Sequence, residues 1–198
     1  MLKGHLKKMN IDIKEIIKSN LDTTKSLLND LDNIKHVCDL SFNTIAKNGK
    51  IILCGNGGSA SDSIHISSEI VGKFEKTRKA LPAISLSTNV SNLTAIGNDF
   101  GFDKIFSRQI EAIGQKGDLL IAISTSGNSI NVYNAITVAK KLGLNVIIFT
   151  GRDGGKINKF DCPKININSE NVARIQECHI LIGHIISKYI EENINSLK

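Results

Sequence analysis

The chain has 198 residues, of which 41% are hydrophobic and 22% are charged, values typical of one soluble globular domain with a sizeable core. The formal net charge is +6, but the lysines are scattered, so the pattern argues against a nucleic-acid-binding face and fits the attraction of a small anionic substrate. No signal-peptide pattern opens the sequence and no apolar stretch approaches the ~18 residues that span a bilayer, so we expect a cytoplasmic protein without a membrane segment.

Residues 1–10 contain the densest group of lysines in the chain, and we expect them to form a flexible extension. The remainder, residues 11–198, has no Pro/Ser-rich linker and no internal repeat, which predicts a single domain. None of the four cysteines belongs to a CxxC pair. Cys54 ends an apolar run and is therefore predicted to be a small buried core residue.

Two helical segments precede the first predicted strand. Apolar residues recur at helical spacing over residues 11–30 and again over residues 31–46, and Lys47-Asn48-Gly49 then breaks the pattern. Such a helical pair is an addition to a plain α/β domain. We expect it to pack against the sheet or against a second subunit.

Beyond residue 50, short apolar runs alternate with segments of helical periodicity. Strands are predicted at Ile51–Cys54, Ala83–Leu86, Leu119–Ile123, Val146–Thr150 and Lys164–Ile167, and helices at Asp62–Gly72, Asn89–Ile96, Ile105–Ile113, Ser129–Leu142 and Val172–Ile194. This alternation implies right-handed crossovers and a parallel sheet that is covered on both faces. The predicted fold is a doubly wound, five-stranded, flavodoxin-like α/β domain with added N-terminal helices.

The first predicted strand is followed by the glycine loop, Gly55-Asn56-Gly57-Gly58-Ser59. Its glycines allow a ligand to approach the backbone, and the following helix offers free N–H groups. Ala60 stands where the dinucleotide fingerprint has its third glycine, and the acidic residue expected about 20 residues later is missing. An NAD site and a simple tight turn remain alternatives to a phosphosugar site.

The third predicted strand is followed by the Ser/Thr loop, Ser124-Thr125-Ser126-Gly127-Asn128-Ser129. Hydroxyl groups, free backbone N–H groups and the positive end of a helix dipole all favour a bound phosphate. The loop has no Lys or Arg and no GK[ST] sequence, which argues against a nucleoside triphosphate. A dianionic phosphomonoester is therefore predicted, and the alternative is a set of turn and capping residues.

Two helices carry titratable or amide side chains at spacings that can form a site. His65 and Glu69 are four residues apart on the helix after the glycine loop and so share one face, as a surface pair would too. On the last helix Gln176 and His184 are two turns apart with an offset of ~80°, so both can face one cavity. Spacing alone does not choose between His184 and His179.

Several separated motifs together resemble the SIS-type phosphoheptose isomerases. They are CGNGGSASDSIH…E, AIGNDFGF…FSRQIEAIGQKGD, ISTSGNS.NV, TGRDGGK and RIQECH…GH, and the resemblance runs from about residue 11 to the C-terminus. It implies an aldose–ketose isomerase that converts sedoheptulose 7-phosphate to D-glycero-D-manno-heptose 7-phosphate through an enediol. This reaction is the entry to nucleotide-activated heptose for lipopolysaccharide, capsule or S-layer glycans.

The resemblance also implies roles for individual residues. The phosphate would be held by Ser124, Thr125, Ser126 and Ser129. The sugar would contact Asn56, Gly57, Gly58, Ser59, Asn98 and Asp99, together with Glu69 and Gln176. One zinc ion per subunit would be held by His65, Glu69, Gln176 and His184. Glu69 and His184 would also be the acid/base pair, and the family is typically a homotetramer with its sites at subunit interfaces.

The implied chemistry is physically coherent. Isomerisation needs a base at carbon and an acid at oxygen, which a carboxylate and an imidazole can supply, and zinc can act as a Lewis acid. Glutamine is an uncommon zinc ligand, but two histidines, a glutamate and a weak amide oxygen leave an exchangeable position. Whether Glu69 can be both ligand and base stays open at this point.

Other members of the superfamily are the alternatives. A homotetrameric regulator that binds the bacterial replication initiator lacks counterparts of Glu69 and His184, which are both present here. Arabinose-5-phosphate isomerases usually have an additional domain, and amino-sugar etherases have longer chains. The residues between Ser59 and His65 and the stretch 87–93 depart most from the motifs, so they are the expected determinants of sugar preference.

Overall fold

The computed structural model describes residues 11–194, and the predicted extension at residues 1–10 lies outside them. The helices are α1 Ile13–Ser26, α2 Leu31–Ala46, α3 Gly58–Val71, α4 Val90–Phe100, α5 Ser107–Ile113, α6 Ile130–Lys141 and α7 Val172–Ile194. The strands are β1 Ile51–Gly55, β2 Ala83–Ser85, β3 Leu119–Ser124, β4 Asn145–Gly151 and β5 Lys164–Ile167. Three short 3₁₀ segments lie at Leu27–Asn29, Phe102–Lys104 and Gly155–Lys159.

The five strands form one sheet in the order β2-β1-β3-β4-β5, and every pairing is parallel. The doubly wound prediction is confirmed. All residues of β1 and β3 are buried, as expected for strands that are covered on both faces. Strand order reverses between β1 and β3, where Gly55 pairs with Ile123. The glycine loop and the Ser/Thr loop therefore leave the sheet side by side, at the edge where ligands bind in such folds.

Helices cover both faces of the sheet. Helices α2, α3 and α7 enclose one apolar cluster, which includes Phe149. Helices α5 and α6 enclose the other, which includes Phe106 and Phe160, and α4 packs at its margin. Cys54 lies in the second cluster and is fully buried, as predicted, and its burial raises the pKa of the thiol to about 12.

Helices α3 and α7 run parallel and approach each other closely. Gly183 makes the approach possible, because a Cβ at that position would collide with the side chain of Ile66. One end of the pair is fixed where Gly58 lies against Gln176, and a Cβ there would collide with the amide of Gln176. Residues about 118 positions apart in the chain therefore lie at the same level of the helix pair.

Helix α1, like α4, has no buried residue. It is tied to α7 by two hydrogen bonds, from Asn20 Nδ2 to Glu177 Oε2 at 2.7 Å and from Arg174 Nη1 to Ile16 O at 2.8 Å. The apolar side chains of α1 and of Ile11 just before it are nevertheless exposed, at 45% to 70% for Ile11, Ile13, Ile16, Ile17 and Leu21. None of the helices in the described residues has the length and apolar character needed to cross a membrane.

The main boundary difference lies at α3, which begins at Gly58, four residues before the predicted start. The glycines suggested a turn, but only Gly57 has the positive φ, +56°, that breaks the helical path. Helix α4 likewise extends to Phe100, four residues beyond its predicted end. Helix α7 and strand β5 have the predicted bounds.

Candidate active site

The glycine loop turns the chain from β1 directly into α3. Gly55 packs so closely on the backbone of Ser59 that a Cβ would not fit. The backbone N–H of Ser59 donates to Asn56 O at 3.0 Å, while Gly57 is exposed. No side chain caps the start of α3, where Ala60 N and Ser61 N donate to Gly57 O at 3.0 and 3.2 Å.

The Ser/Thr loop forms a tight cradle before α6. Ser124 Oγ donates to Ser129 Oγ at 3.0 Å, and Gly127 N donates to Ser124 O at 3.0 Å. Ser129 precedes α6 but its side chain does not cap the helix. The first N–H groups of α6 thus remain available to an anion, next to several hydroxyl groups.

The loop after β4 forms one wall of this cradle. A Cβ at Gly127, where φ is +64°, would collide with the backbone of Gly154. Ile157 N donates to Gly127 O at 3.0 Å, and Lys156 N donates to Asn128 Oδ1 at 3.2 Å. The two loops are thereby locked together, which explains why the motif TGRDGGK accompanies the motif ISTSGNS.

A pair of asparagines joins the glycine loop to α6. Asn56 Nδ2 donates to Asn131 Oδ1 at 2.9 Å, and Asn131 Nδ2 donates to Asn56 Oδ1 at 2.8 Å. Asn131 is buried at 1% exposure, and its Oδ1 also accepts from Val132 N at 2.9 Å. Sequence reasoning gave Asn131 no role, although Asn131 is part of the motif ISTSGNS.NV. The available signal was a polar residue between apolar Ile130 and Val132, two residues after the Ser/Thr loop.

Two helices bring three titratable side chains together. His65 Nε2 lies 3.1 Å from Glu69 Oε1, and His184 Nε2 lies 3.4 Å from His65 Nε2. One ligand atom from each of the three residues lies within 4.8 Å of the others. Two imidazoles and a carboxylate are a donor set that suits zinc, so the residues present fit such an ion.

The structure distinguishes the two histidines of α7. His179 is fully buried, its ring packs against Phe149, and its Nε2 lies 3.0 Å from Thr150 O. Burial lowers the pKa of His179 to about 4, so this imidazole is neutral. His184 is partly exposed and contacts His65. Of the two histidines, it is therefore His184 that lies beside His65 and Glu69 of α3.

The remaining predicted residues lie apart from this cluster. Gln176 lies against Gly58, eight residues before His184 and therefore about 12 Å from it along the helix axis. Asn98 Nδ2 donates to Asp99 Oδ1 at 2.8 Å at the exposed end of α4. Among residues 11–194, no hydrogen bond joins Gln176, Asn98 or Asp99 to the glycine loop or the Ser/Thr loop.

Asp62 adds an uncompensated carboxyl group one turn before His65. It is half-buried, and within the described part of the chain its Oδ2 has no hydrogen-bond partner. Desolvation raises the pKa of Asp62 to about 6, against the attraction of His65.

Comparisons with known proteins show the family and the fold of the chain. Residues 17–151 match the SIS domain family. A phosphoheptose isomerase from Aliarcobacter butzleri (strain RM4018) is 44% identical over 183 residues, which cover 92% of this chain and 97% of that protein. The structure of phosphoheptose isomerase from Neisseria gonorrhoeae is similar with a TM-score of 0.81 at 41% identity, covering 90% of this chain and 94% of that one. A phosphoheptose isomerase from Francisella tularensis has a TM-score of 0.88 at 34% identity, covering 91% and 96%.

Proposed function

The chain belongs to the SIS domain family and, within it, to the phosphoheptose isomerases, and on this premise we propose the reaction and the residues that carry it. The enzyme converts D-sedoheptulose 7-phosphate to D-glycero-D-manno-heptose 7-phosphate, an aldose–ketose isomerisation. The observation that carries the proposal is the cluster of His65, Glu69 and His184 from two helices. The cluster supplies a carboxylate and two imidazoles whose ligand atoms lie within 4.8 Å of one another, so a carboxylate and an imidazole can both reach one bound substrate.

The phosphate group of the substrate binds in the Ser/Thr loop. Ser124, Thr125, Ser126 and Ser129 offer hydroxyl donors, and the uncapped start of α6 offers backbone N–H groups. Neutral donors and the helix dipole stabilise a dianion without a permanent cation in the loop. The wall formed by Gly154 keeps this cradle rigid, so the phosphate fixes one end of the sugar.

The sugar hydroxyls lie along the glycine loop. Asn56, Gly57, Gly58 and Ser59 offer an amide, backbone N–H groups and a hydroxyl at the same sheet edge as the phosphate cradle. Gln176 lies against Gly58 and so presents its amide to the same chain of hydroxyls. Asn98 and Asp99 complete this set in the proposal.

Glu69 and His184 move the protons. Glu69 takes a proton from C1 of the ketose and returns it to C2, while His184 donates a proton to the C2 oxygen and accepts one from the C1 hydroxyl. The electrons of the C1–H bond form the enediol double bond and then the new C2–H bond, so the reaction is balanced without an oxidant. General acid–base catalysis of this kind contributes ~10²–10⁴-fold in rate.

Zinc is the proposed cofactor, one ion per subunit. His65, Glu69 and His184 would hold it. The resemblance also implies Gln176 as a fourth ligand, but Gln176 lies against Gly58, two turns of α7 away from His184. When bound, the ion would supply Lewis-acid polarisation of the substrate carbonyl. Binding can be measured apart from activity by metal analysis and calorimetry of the wild type and of His65→Ala. Equal zinc content in both would contradict this ligand set.

A homotetramer with sites at subunit interfaces is part of the proposal. Its support is the exposed apolar side chains of α1, since a row of isoleucines and leucines is normally covered by a partner. Sedimentation of the wild type and of Ile17→Asp would test it. A monomeric wild type would contradict it.

A cytoplasmic location is also proposed. The four cysteines, which are all free, support it, because reduced thiols are typical of that compartment.

The replication-initiator regulator is not favoured, because both Glu69 and His184 are present and lie together. The decisive experiment offers the purified protein seven-, six- and five-carbon ketose phosphates in D₂O. Proton NMR should show turnover and solvent exchange with sedoheptulose 7-phosphate. Glu69→Gln should lower the rates of both by ~10²–10⁴-fold, while Glu111→Gln, a change at an exposed glutamate of α5, should preserve them. A wild type that leaves this substrate unchanged with zinc supplied would contradict the proposal.

A further inference from the structure

Residues 72–80, which follow α3 and precede β2, contain no helix or strand, and we name them the 72–80 loop. Hydrogen bonds nevertheless hold this loop in place. One buried carboxylate on α7 accepts three consecutive backbone N–H groups from it. Glu191 Oε2 accepts from Phe74 N at 2.9 Å, and Glu191 Oε1 accepts from Glu75 N at 2.8 Å and from Lys76 N at 2.7 Å. Glu191 is 1% exposed, so these charge-assisted bonds act in a poorly solvated environment.

Arg78 completes this arrangement from within the loop. Its side chain is 1% exposed, and its Nε lies 3.4 Å from Glu191 Oε2. The same guanidinium donates to Glu69 O at 2.9 Å and to Gly72 O at 3.2 Å. Arg78 therefore links the buried carboxylate of α7 to the last turn of α3, the turn that carries Glu69.

The 72–80 loop places an aromatic ring on a residue of the active site. The centroid of the Phe74 ring lies 5.6 Å from that of His184, with an angle of 40° between the ring planes. The His65 ring lies 5.0 Å away from that of His184. His184 thus contacts a ring from α3 and a ring from the loop.

We propose that Glu191 and Arg78 are positioning residues for the acid/base pair, and this inference rests on the proposed function. They fix the 72–80 loop so that Phe74 holds the imidazole of His184 in the orientation that reaches His65 and Glu69. They touch no substrate. Small displacements of a catalytic group are costly to rate, since about 1 Å can reduce it ~100-fold.

A positioning role predicts an effect on kcat alone, because Glu191 and Arg78 do not touch the two loops that bind the sugar phosphate. Neither Glu191 nor Arg78 contacts the Ser/Thr loop or the glycine loop in the hydrogen bonds and ion pairs recorded for residues 11–194. Loss of the carboxylate should therefore lower kcat and leave the KM for the sugar phosphate unchanged. A residue that served folding alone would lower the fraction of folded enzyme and leave the kcat of the folded fraction unchanged.

The test compares Glu191→Gln with Glu192→Gln. Glu192 is the next residue of α7, is exposed, and binds the same loop only through the Lys76 side chain at 2.6 Å. At a temperature where circular dichroism shows both variants folded, Glu191→Gln should lower kcat about tenfold to 100-fold, while Glu192→Gln should retain wild-type kcat. Wild-type kcat in Glu191→Gln would overturn the proposal.

A second pair of variants keeps the proposal testable if Glu191→Gln does not fold. Phe74→Ala should lower kcat at constant KM and shift and broaden the His184 ring-proton resonance, assigned with His184→Asn. Phe74→Tyr keeps the ring and should restore both. An unmoved His184 resonance in Phe74→Ala would overturn the proposal. If the wild type does not turn over the substrate, the proposed function fails, and the resonance still tests the positioning role.

Discussion

The carboxyl edge of the sheet and the α3–α7 pair use different physical means at one site. The edge offers neutral groups: backbone N–H groups and hydroxyls on two loops that are fixed by close glycine packing, as at Gly127. The helix pair offers titratable side chains on rigid elements, brought together because Gly183 lets the helices approach. Binding a phosphate requires many weak donors around one anion, whereas proton transfer requires few groups in fixed positions. Changes at the edge should therefore appear in KM and changes on the helices in kcat.

The largest expected effect lies on the helix pair, at Glu69→Gln. Glutamine keeps the shape of the side chain but cannot take a proton, so kcat should fall by ~10²–10⁴-fold. The KM should change little, because the phosphate cradle is untouched. Steady-state kinetics with sedoheptulose 7-phosphate measures both constants.

The same change at the exposed residue Glu111 is the control for the loss of one negative charge. Glu111→Gln should leave both constants near the wild-type values. A Glu69→Gln enzyme that kept its kcat but lost affinity would reverse the assignment of the two regions.

The next effect lies at the sheet edge, at Ser126→Ala. Removing one hydroxyl donor to a dianion should cost about 1.5–3 kcal/mol of binding, which is ~10–100-fold in KM. The kcat should stay close to that of the wild type. Ser91→Ala, at an exposed position near the start of α4, is the matched control. Unchanged KM in Ser126→Ala would show that the phosphate does not bind in this loop.

A smaller effect is expected where the two loops are joined to each other. Asn131→Leu removes both hydrogen bonds to Asn56 and leaves that amide without its partner, at a cost of about 1–3 kcal/mol. The glycine loop is then no longer held at a fixed distance from the Ser/Thr loop. We therefore expect kcat/KM to fall about tenfold, with a lower kcat and a higher KM. Asn134→Leu, one turn further along α6, is the control, since Asn134 donates to Asp103 O instead. A kinetic effect as large in Asn134→Leu would mean that the loss reflects general damage to α6.

Much of the fold could be predicted because buried parallel strands are continuous apolar runs. Strand β3 is a continuous apolar run and helix α7 has apolar residues at a period of 3.6. The bounds of both were predicted to within one residue. The start of α3 could not be found in this way, because the glycines of the loop suggest a turn, while the contact between Gly58 and Gln176 is tertiary. Sequence patterns contain no information about such tertiary packing.

The site could be predicted in part for the same reason. The loops were recognisable from local composition, and His65 and Glu69 from helical spacing. The choice of His184 over His179 depends on how α7 is rotated against the sheet, which spacing does not determine. Asn131 and Glu191 are ordinary helix residues by sequence, and only the partners that the fold brings to them, Asn56 and the 72–80 loop, give them a role.

The last expected effect is on stability rather than on kinetics and lies where α7 meets the sheet edge, at His179, whose Nε2 lies 3.0 Å from Thr150 O. Burial lowers the pKa of this imidazole from its ordinary value of 6.5 to about 4. Below pH 6.5 the unfolded chain takes up a proton that the folded protein does not, so the free energy of unfolding decreases as the pH falls towards 4. This residue contributes a slope of about 1.4 kcal/mol per pH unit over that window.

His179→Gln keeps an N–H donor for Thr150 O and removes the titration. Denaturant unfolding of both proteins between pH 6.5 and pH 4 should therefore give a shallower pH dependence in the variant. Asp62, whose raised pKa acts with the opposite sign, is present in both proteins and cancels in the difference. Equal slopes would mean that His179 binds a proton in the folded state as readily as in the unfolded chain. In that case α7 and the sheet edge would be less tightly joined than the distance between them implies.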